Sequence, residues 1–260
     1  MLRTLRATRY VTPLREGGSL PAIIEADDRQ LYVLKFRGAG QGEKALVAEL
    51  LAGQLARALG LRVPELVFVE VDPVLGRNEP DYEIRELIKA SAGKNLALAY
   101  LAGAVTFDPV AGPLPDAELA SLIVGFDAYV SNLDRSAKNP NMLGVGGELW
   151  LIDHGAALYF HHGANDWQEH AGRAFPAVRQ HVLLPFASAL DGVVARMRAL
   201  LTADVRSAAV RLLPDAWLSP SPPFDSPAAR RAAYLTYLAA RLDALPKLIE
   251  EAVRVRAELV

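Results

Sequence analysis

The sequence predicts an α+β protein of two lobes, in which a small antiparallel sheet and one long helix precede a mostly helical carboxyl-terminal lobe. Short strand-like segments occupy residues 7–36, a strongly helical segment spans residues 43–59, and helical spacing of apolar residues dominates beyond residue 96. We expect the two lobes to comprise residues 1–92 and residues 93–260.

The composition indicates a globular protein and excludes several classes of function. With 260 residues, 52% of them hydrophobic, the chain is long enough to bury a substantial core. A formal net charge of -2 predicts no general attraction to nucleic acid or anionic membranes, so an anionic ligand must meet a local cluster of positive groups. The absence of cysteine excludes disulfides and thiolate metal sites. No apolar run approaches about 18 residues and the amino terminus has no apolar signal core, which favours a cytoplasmic protein that does not span a membrane.

Lys35 is the cation that the predicted sheet offers to a ligand. Residues 7–14 predict a first strand, the turn sequence REGGSLP follows, and residues 22–36 predict two strands around the turn ADDRQ. In the last strand, Lys35 shares one face with Val33, whereas the other face is entirely bulky and apolar. Lys35 therefore points toward a cleft or toward solvent.

Glu49 is the expected partner of that lysine. Residues 43–59 have an acidic first turn and are followed by Gly60, which predicts a helix with a glycine stop. Glu49 lies among small and apolar residues in the middle of this helix, where an unpaired carboxylate would be costly. We expect it to pair with Lys35. Glu43 is the alternative, but the helix dipole already explains an acid in the first turn.

Two further strands are predicted over residues 61–71 and 81–90. The second runs into SAGKN, a polar connector between the lobes. A strand in that position could present main-chain groups to a planar base, and we expect Glu86, Leu87 and Ile88 to lie there.

The polar residues in the middle of the chain indicate its chemistry. A buried helix over residues 116–131 leads into a loop with Asp134, Asn139 and Asn141, and the turn GVGG then leads into an apolar strand that ends at Asp153. The two aspartates, with one of the two asparagines between them, could share a metal that prefers oxygen ligands. Such ligands are typical of magnesium.

This set of residues suits phosphoryl transfer. That reaction needs a carboxylate to orient an attacking hydroxyl, and an acid and an amide to hold magnesium on the phosphates. Taken singly, each residue would more often cap a helix or a turn. Their order, D-x4-N, turn, apolar strand and D-x-G, favours the catalytic interpretation.

The histidines do not indicate a zinc site. His161, His162, His170 and His181 lack a compact metal-ligand spacing, and we interpret them as loop and surface residues. The long terminal segment has apolar residues at helical spacing with charges between them, which predicts a packed helix with one wet face.

With Lys35, Glu49, the loop DRSAKNPN and the segment IDHG in this order, the chain resembles the protein-kinase-like superfamily, and HipA-family kinases and their short single-module relatives most of all. The resemblance spans nearly the whole chain and implies a two-lobe protein-kinase-like fold that uses ATP and magnesium. It implies that Lys35 grips the phosphates with Glu49 as its partner, that Asp134 is the catalytic aspartate and that Asp153 is a magnesium ligand.

The sequence departs from the family pattern in two places. The loop in which Gly17, Gly18 and Ser19 could cover the phosphates is not G-x-G-x-x-G. Asn139 has the family offset of five from Asp134, whereas Asn141 has the family's following apolar pair, so both remain candidates for the metal.

The predicted function is transfer of the γ-phosphoryl group of ATP to a hydroxyl group of a protein serine or threonine, or of a small alcohol. One alternative is a non-catalytic nucleotide-binding module that regulates a partner, which the atypical glycine loop favours. Another is a kinase-like scaffold that transfers a nucleotidyl group. The expected partners are a nucleotide and a hydroxyl-bearing acceptor, without a membrane or a nucleic acid.

Overall fold

The computed structural model describes residues 2–14, 20–163, 167–220 and 223–259. Its strands in these ranges are β1 (Thr4–Pro13), β2 (Ala22–Ala26), β3 (Leu31–Lys35), β4 (Leu66–Val71), β5 (Gly93–Ala99), β6 (Val105–Thr106), β7 (Met142–Val145) and β8 (Glu148–Leu151). The helices are α1 (Gly42–Ala58), α2 (Tyr82–Ala90), α3 (Ala117–Val130), α4 (Trp167–Ala171), α5 (Val193–Leu200), α6 (Ala203–Arg211) and α7 (Pro227–Ala257).

The amino-terminal lobe is built around a closed barrel of five strands. The strands follow the order β1-β2-β3-β5-β4, and β4 pairs with β1 to close the barrel. All neighbouring pairs are antiparallel except β1 and β4, which are parallel. The small sheet-containing lobe predicted from the sequence is therefore present, and one parallel pair closes it.

The segment from Tyr82 to Ala90, predicted as a strand, is helix α2. Its N-cap is Asp81, whose Oδ1 accepts a hydrogen bond from Glu83 N at 2.9 Å. Ile84 and Ile88 lie one turn apart and pack into the apolar cluster of the barrel. The apolar residues of this segment thus have the spacing of a helix, and the strand prediction was wrong.

The segment from Gly93 to Ala99 corrects a second prediction. Its last residues were predicted to begin the helical lobe, but the whole segment is strand β5, which lies between β3 and β4. Since β5 pairs within the barrel, we propose that the boundary between the lobes lies after Ala99, where the sequence analysis expected it after residue 92.

Helix α1 packs across the barrel. Its middle section is buried on nearly every side. A Cβ atom at Gly53 would lie 2.8 Å from Leu66 Cδ1, so the glycine permits a close approach of α1 to β4. This approach holds Glu49, which is 1% exposed, against the barrel.

Helices α3 and α7 form the centre of the carboxyl-terminal lobe. Asp116 caps α3 by accepting a hydrogen bond from Leu119 N at 2.7 Å. A Cβ atom at Gly125 would clash with Val193 Cγ1, so α3 lies very close to α5 there. Helix α3 ends at Ser131, whose φ of 54° turns the chain into the following loop.

The second sheet contains the hairpin predicted from the sequence. Strands β7 and β8 pair with Met142 opposite Leu151, and β6 adds a short third strand.

None of the helices in the described ranges has both the length and the apolar character needed to cross a lipid bilayer. The two-lobe α+β prediction is confirmed.

Candidate active site

A cleft of about 830 Å³ is lined by residues of both lobes. On one side it is bordered by β3, α1 and the end of β5, and on the other by the loop after α3 and the end of the β7–β8 hairpin. The six charged and amide residues that the sequence analysis assigned to catalysis and metal binding all line it: Lys35, Glu49, Asp134, Asn139, Asn141 and Asp153.

Lys35 lies between two carboxylates at the end of β3. Its Nζ donates a hydrogen bond to Asp153 Oδ1 at 2.6 Å and lies 3.6 Å from Glu49 Oε2. Burial alone would lower the pKa of Lys35, but the charges of Glu49 and Asp153 outweigh burial and raise it above its ordinary value. The ammonium group therefore remains charged.

Glu49 is contacted from two sides. Its Oε2 faces Lys35, and its Oε1 lies 3.4 Å from Nδ1 of the buried His154. Burial would raise the pKa of Glu49, but Lys35, followed by His154, lowers it from 4.5 to about 2. Because Asp153 precedes His154, two consecutive residues of the hairpin end contact both members of the lysine–glutamate pair.

The loop after α3 surrounds Asp134 with two amides. Asn139 Nδ2 donates to Asp134 Oδ2 at 2.8 Å. Asn141 Nδ2 donates to the main-chain oxygen of Asp134 at 2.5 Å and lies 3.3 Å from Oδ2. Asn139 is exposed, whereas Asn141 is buried. Both amide nitrogens are thus directed at one aspartate, which leaves the amide oxygens as candidate metal ligands.

Asn141 and Asp153 lie side by side at the base of the hairpin. Ile152 N donates to Asn141 O at 3.0 Å, which joins the two segments through the main chain. Both residues have left-handed backbone conformations, with φ of 48° for Asn141 and 54° for Asp153. Asn and Asp tolerate this region better than most other side chains. The backbone therefore brings an amide and a carboxylate to one end of the hairpin.

The structure does not bring the predicted base contacts to the cleft. Glu86, Leu87 and Ile88 lie on α2, away from the cleft, and Ile88 is fully buried in the barrel core. The cleft is instead bordered by the end of β5 and the residues after it, 98–101. Gly17, Gly18 and Ser19, which were predicted to cover the phosphates, lie outside the described residues.

Two of the histidines interpreted as surface residues are buried. His161 is 2% exposed, its Nδ1 lies 3.0 Å from Tyr234 Oη, and burial lowers the pKa of His161 well below its ordinary value. His181 is 4% exposed and contacts Asp127, a buried acid of α3 that the sequence analysis did not select. A sequence signal for Asp127 exists, because it is the one charged residue in the apolar run LIVGFDAYV.

The candidate metal ligands consist of carboxylate and amide oxygens. Among the described residues, no three His, Cys, Asp or Glu side chains form a group that could hold a metal by themselves. Asp153, whose side chain is 40% exposed, has Oδ1 on Lys35, whereas its Oδ2 makes no ion pair with any of the described residues. Oxygen donors of this kind fit a hard divalent cation that also binds the phosphates of a nucleotide.

Comparisons with known proteins point to one family. A family model described as HipA-like kinase matches residues 8–242. No curated protein sequence matches the chain significantly. The fold is similar to that of the Helicobacter pylori proinflammatory kinase CtkA, with 12% identity, a TM-score of 0.51, and coverage of 100% of this chain and 99% of that one. It is also similar to the Golgi casein kinase with Mn/ADP bound, with 11% identity, a TM-score of 0.52, and coverage of 93% of this chain and 74% of that one.

Proposed function

Since this chain belongs to the HipA-like kinase family, we propose that it transfers the γ-phosphoryl group of ATP, with magnesium, to the hydroxyl group of a protein serine or threonine. One observation carries the proposal: the cleft contains both a buried lysine between two carboxylates and an aspartate surrounded by amides. Phosphoryl transfer needs a cationic grip on phosphates and a carboxylate for the attacking hydroxyl. Both lie in the same cleft.

Lys35 would bind the phosphates. Its Nζ now shares its charge between Asp153 at 2.6 Å and Glu49 at 3.6 Å. Glu49 is buried and fixed on α1, whereas the side chain of Asp153 is 40% exposed. An arriving phosphate would therefore replace Asp153 as the closer partner, and Glu49 would keep the lysine in position.

Asp134 would accept the proton of the attacking hydroxyl. In the described part of the chain, Asn139 and Asn141 both approach its Oδ2. Oδ1 therefore remains for the acceptor. Such a base must lie within hydrogen-bond reach of the hydroxyl that it orients.

Asp153 and Asn141 would hold the metal. Asn141 is the better candidate of the two amides, because it directly precedes β7 and its main-chain oxygen is bonded to Ile152 N, next to Asp153. Asn139 is exposed and its amide bonds the carboxylate of Asp134, so we assign it to the orientation of that aspartate. Bound magnesium would neutralise charge on the transferring phosphoryl group.

The base would lie at the end of the cleft near residues 98–101. This part of the wall is mainly apolar, with Val33, Leu98, Leu101 and Met142 among its side chains. An apolar slot of this kind suits a flat aromatic ring, and a few main-chain groups suffice to orient it.

The test is transfer of label from ATP labelled at the γ position. The wild-type protein with magnesium should label protein serine or threonine, as phosphoamino-acid analysis would establish. Asp134→Asn and Asp153→Ala should each reduce the rate at least about 100-fold, because they remove groups that act at the transition state. Asp204→Asn, an exposed aspartate of α6, is the matched control and should keep the wild-type rate.

Three outcomes would contradict parts of this proposal. Equal rates in the wild type and both cleft variants would refute phosphoryl transfer in this cleft. Label on a small alcohol but on no protein would refute the proposed acceptor class. Transfer of label from the α position would indicate nucleotidyl transfer instead.

A further inference from the structure

A single buried carboxylate lies beneath the loop that carries Asp134. Asp127, in α3, is completely buried and accepts three hydrogen bonds. The donors are Arg135 Nε at 2.5 Å, His181 Nε2 at 2.9 Å and Asn132 Nδ2 at 2.9 Å. Two donors belong to the loop itself, and the third comes from a distant segment of the chain.

The loop donors continue into the proposed catalytic groups. Asn132 bonds Asp127 with its amide nitrogen and accepts a hydrogen bond from Asp134 N with its oxygen, at 3.2 Å. Arg135 bonds Asp127 with Nε and donates from Nη1 to Asn141 O at 2.5 Å. The main chain of both the proposed base and the proposed amide ligand is therefore one side chain away from Asp127.

His181 fixes the carboxylate from the other side. Leu183 N donates to His181 Nδ1 at 3.1 Å, so the proton of the imidazole is on Nε2, which donates to Asp127. Val182 N also donates to Arg135 O, at 3.1 Å. The segment that contains His181 thus holds both the carboxylate and the backbone of the loop.

Stability alone gives a poor account of this network. Buried ion pairs often contribute little net stability, because desolvation of both charges offsets their attraction, and apolar residues of similar size would serve as well. What apolar residues could not do is orient hydrogen-bond donors. Each hydrogen bond of this network has a direction, and those of the loop converge on Asp134 and Asn141, which line the cleft.

We propose that Asp127 is a positioning residue for phosphoryl transfer, which sets the orientation of Asp134 and Asn141 through Asn132 and Arg135. The proposal rests on the function proposed above for those two residues. Asp127 itself is buried beneath the loop and does not line the cleft, so its effect on the reaction passes through the loop.

The test uses a variant that removes the network without leaving a buried charge. Asp127→Asn alone would leave the guanidinium of Arg135 uncompensated, which risks unfolding. The double variant Asp127→Asn/Arg135→Met carries no charge at either position, and its two side chains are similar in volume to those they replace. Leu213→Ala, a buried residue after α6 that does not line the cleft, is the control for general loss of stability.

Three quantities are measured below the thermal midpoint of each variant: kcat, the KM for ATP, and hydrogen exchange of the amides in residues 132–141. For the double variant we expect kcat to fall on the order of 100-fold, the loss expected when a catalytic group is displaced by about 1 Å. At saturating magnesium, the KM for ATP should change far less than kcat, because Lys35, which would bind the phosphates, is not affected. Exchange in residues 132–141 should rise, and Leu213→Ala should change neither kcat nor this exchange.

The proposal is overturned if the double variant retains kcat, or if Leu213→Ala at a matched thermal midpoint loses as much. Hydrogen exchange separates this failure from failure of the proposed function. If the wild-type protein transfers no phosphoryl group, the proposed function is wrong, and exchange then decides only whether Asp127 orders the loop. Raised exchange confined to residues 132–141 supports that ordering, and unchanged exchange overturns it.

Discussion

Replacement of Glu49 by Gln tests the electrostatics of the lysine pair. Glu49 is 1% exposed, and its pKa is lowered from 4.5 to about 2, because Lys35 and His154 outweigh burial. At about 1.4 kcal/mol for each tenfold change in proton affinity, the ionised carboxylate contributes about 3 kcal/mol to the free energy of unfolding at pH 7. Removal of one partner of a buried pair costs about 3 to 5 kcal/mol. The lower end applies here, because Lys35 keeps Asp153 at 2.6 Å.

The pH dependence has a definite sign. A carboxylate with a depressed pKa in the folded state stabilises fully above its unfolded pKa, and this stabilisation is lost as the pH falls through the folded pKa. The difference between the wild type and Glu49→Gln should therefore be about 3 kcal/mol at pH 7 and should shrink to roughly half of that at pH 3. Urea unfolding followed by circular dichroism at the two pH values measures it.

Glu43→Gln is the matched control, because it removes a carboxylate from the first turn of the same helix. Within the described residues that group has no ion pair, so the helix dipole is its main support and the cost should be about 0.3 to 1 kcal/mol. Equal costs for the two variants at pH 7, or a Glu49→Gln difference that does not shrink at pH 3, would refute the assignment of a strong buried pair.

Three further predictions concern the cleft and the helical lobe. Lys35→Met should weaken nucleotide binding at least about tenfold by calorimetry, with the circular dichroism spectrum retained; unchanged affinity would exclude the phosphate grip. Asn141→Gly, in which glycine suits the φ of 48°, should raise the magnesium concentration for half-maximal turnover at least about tenfold. Asn139→Ala should lower turnover at an unchanged magnesium requirement. If Asn139→Ala instead raised the magnesium requirement and Asn141→Gly did not, Asn139 would be the metal ligand. Gly125→Ala should cost about 1 to 3 kcal/mol in urea unfolding, because its Cβ would clash with Val193; a neutral effect would mean that α5 moves aside freely.

The sequence predicted well those elements whose apolar residues recur at one clear spacing and whose ends are marked by cap or turn residues. Helix α1 has an acidic first turn and a glycine after it, and α3 begins at the cap Asp116. The hairpin of β7 and β8 is marked by the turn GVGG. In each case local residues alone specify the element.

Two elements near the junction between the lobes were predicted wrongly for a physical reason. In β5, four consecutive residues from Asn95 to Leu98 are buried, and a continuous buried run cannot be distinguished from a helix by periodicity. In α2, the spacing of Ile84 and Ile88 was helical, and Asp81 supplied a cap that the strand interpretation overlooked. The strand interpretation then placed the expected base contacts on a segment that does not line the cleft.

The residues of the site differ in the same way. Those close together in the sequence could be predicted, whereas contacts between distant segments could not. Asp134, Asp153 and their amides follow from residue order, because a loop and the hairpin that directly follows it bring them together. The contact between His181 and Asp127 joins residues 54 positions apart, and no local pattern encodes it. A histidine in a loop is usually exposed, so burial of His181 depends on the tertiary fold.

Two ion pairs, Lys35–Asp153 in the cleft and Asp127–Arg135 beneath its loop, differ in how readily a ligand could rearrange them. Asp127 and Arg135 are both 0% exposed, and breaking such a pair costs about 3 to 5 kcal/mol. Asp153 is 40% exposed, and pairs with solvent access are typically worth about 1 kcal/mol or less. A nucleotide phosphate can therefore compete for Lys35 against Asp153, but it gains nothing by disturbing Asp127. We expect a structure with bound nucleotide to move Lys35 Nζ away from Asp153 Oδ1 while the Asp127–Arg135 distance stays the same. A nucleotide-bound structure in which Asp127 and Arg135 separate while Lys35 stays on Asp153 would contradict this expectation.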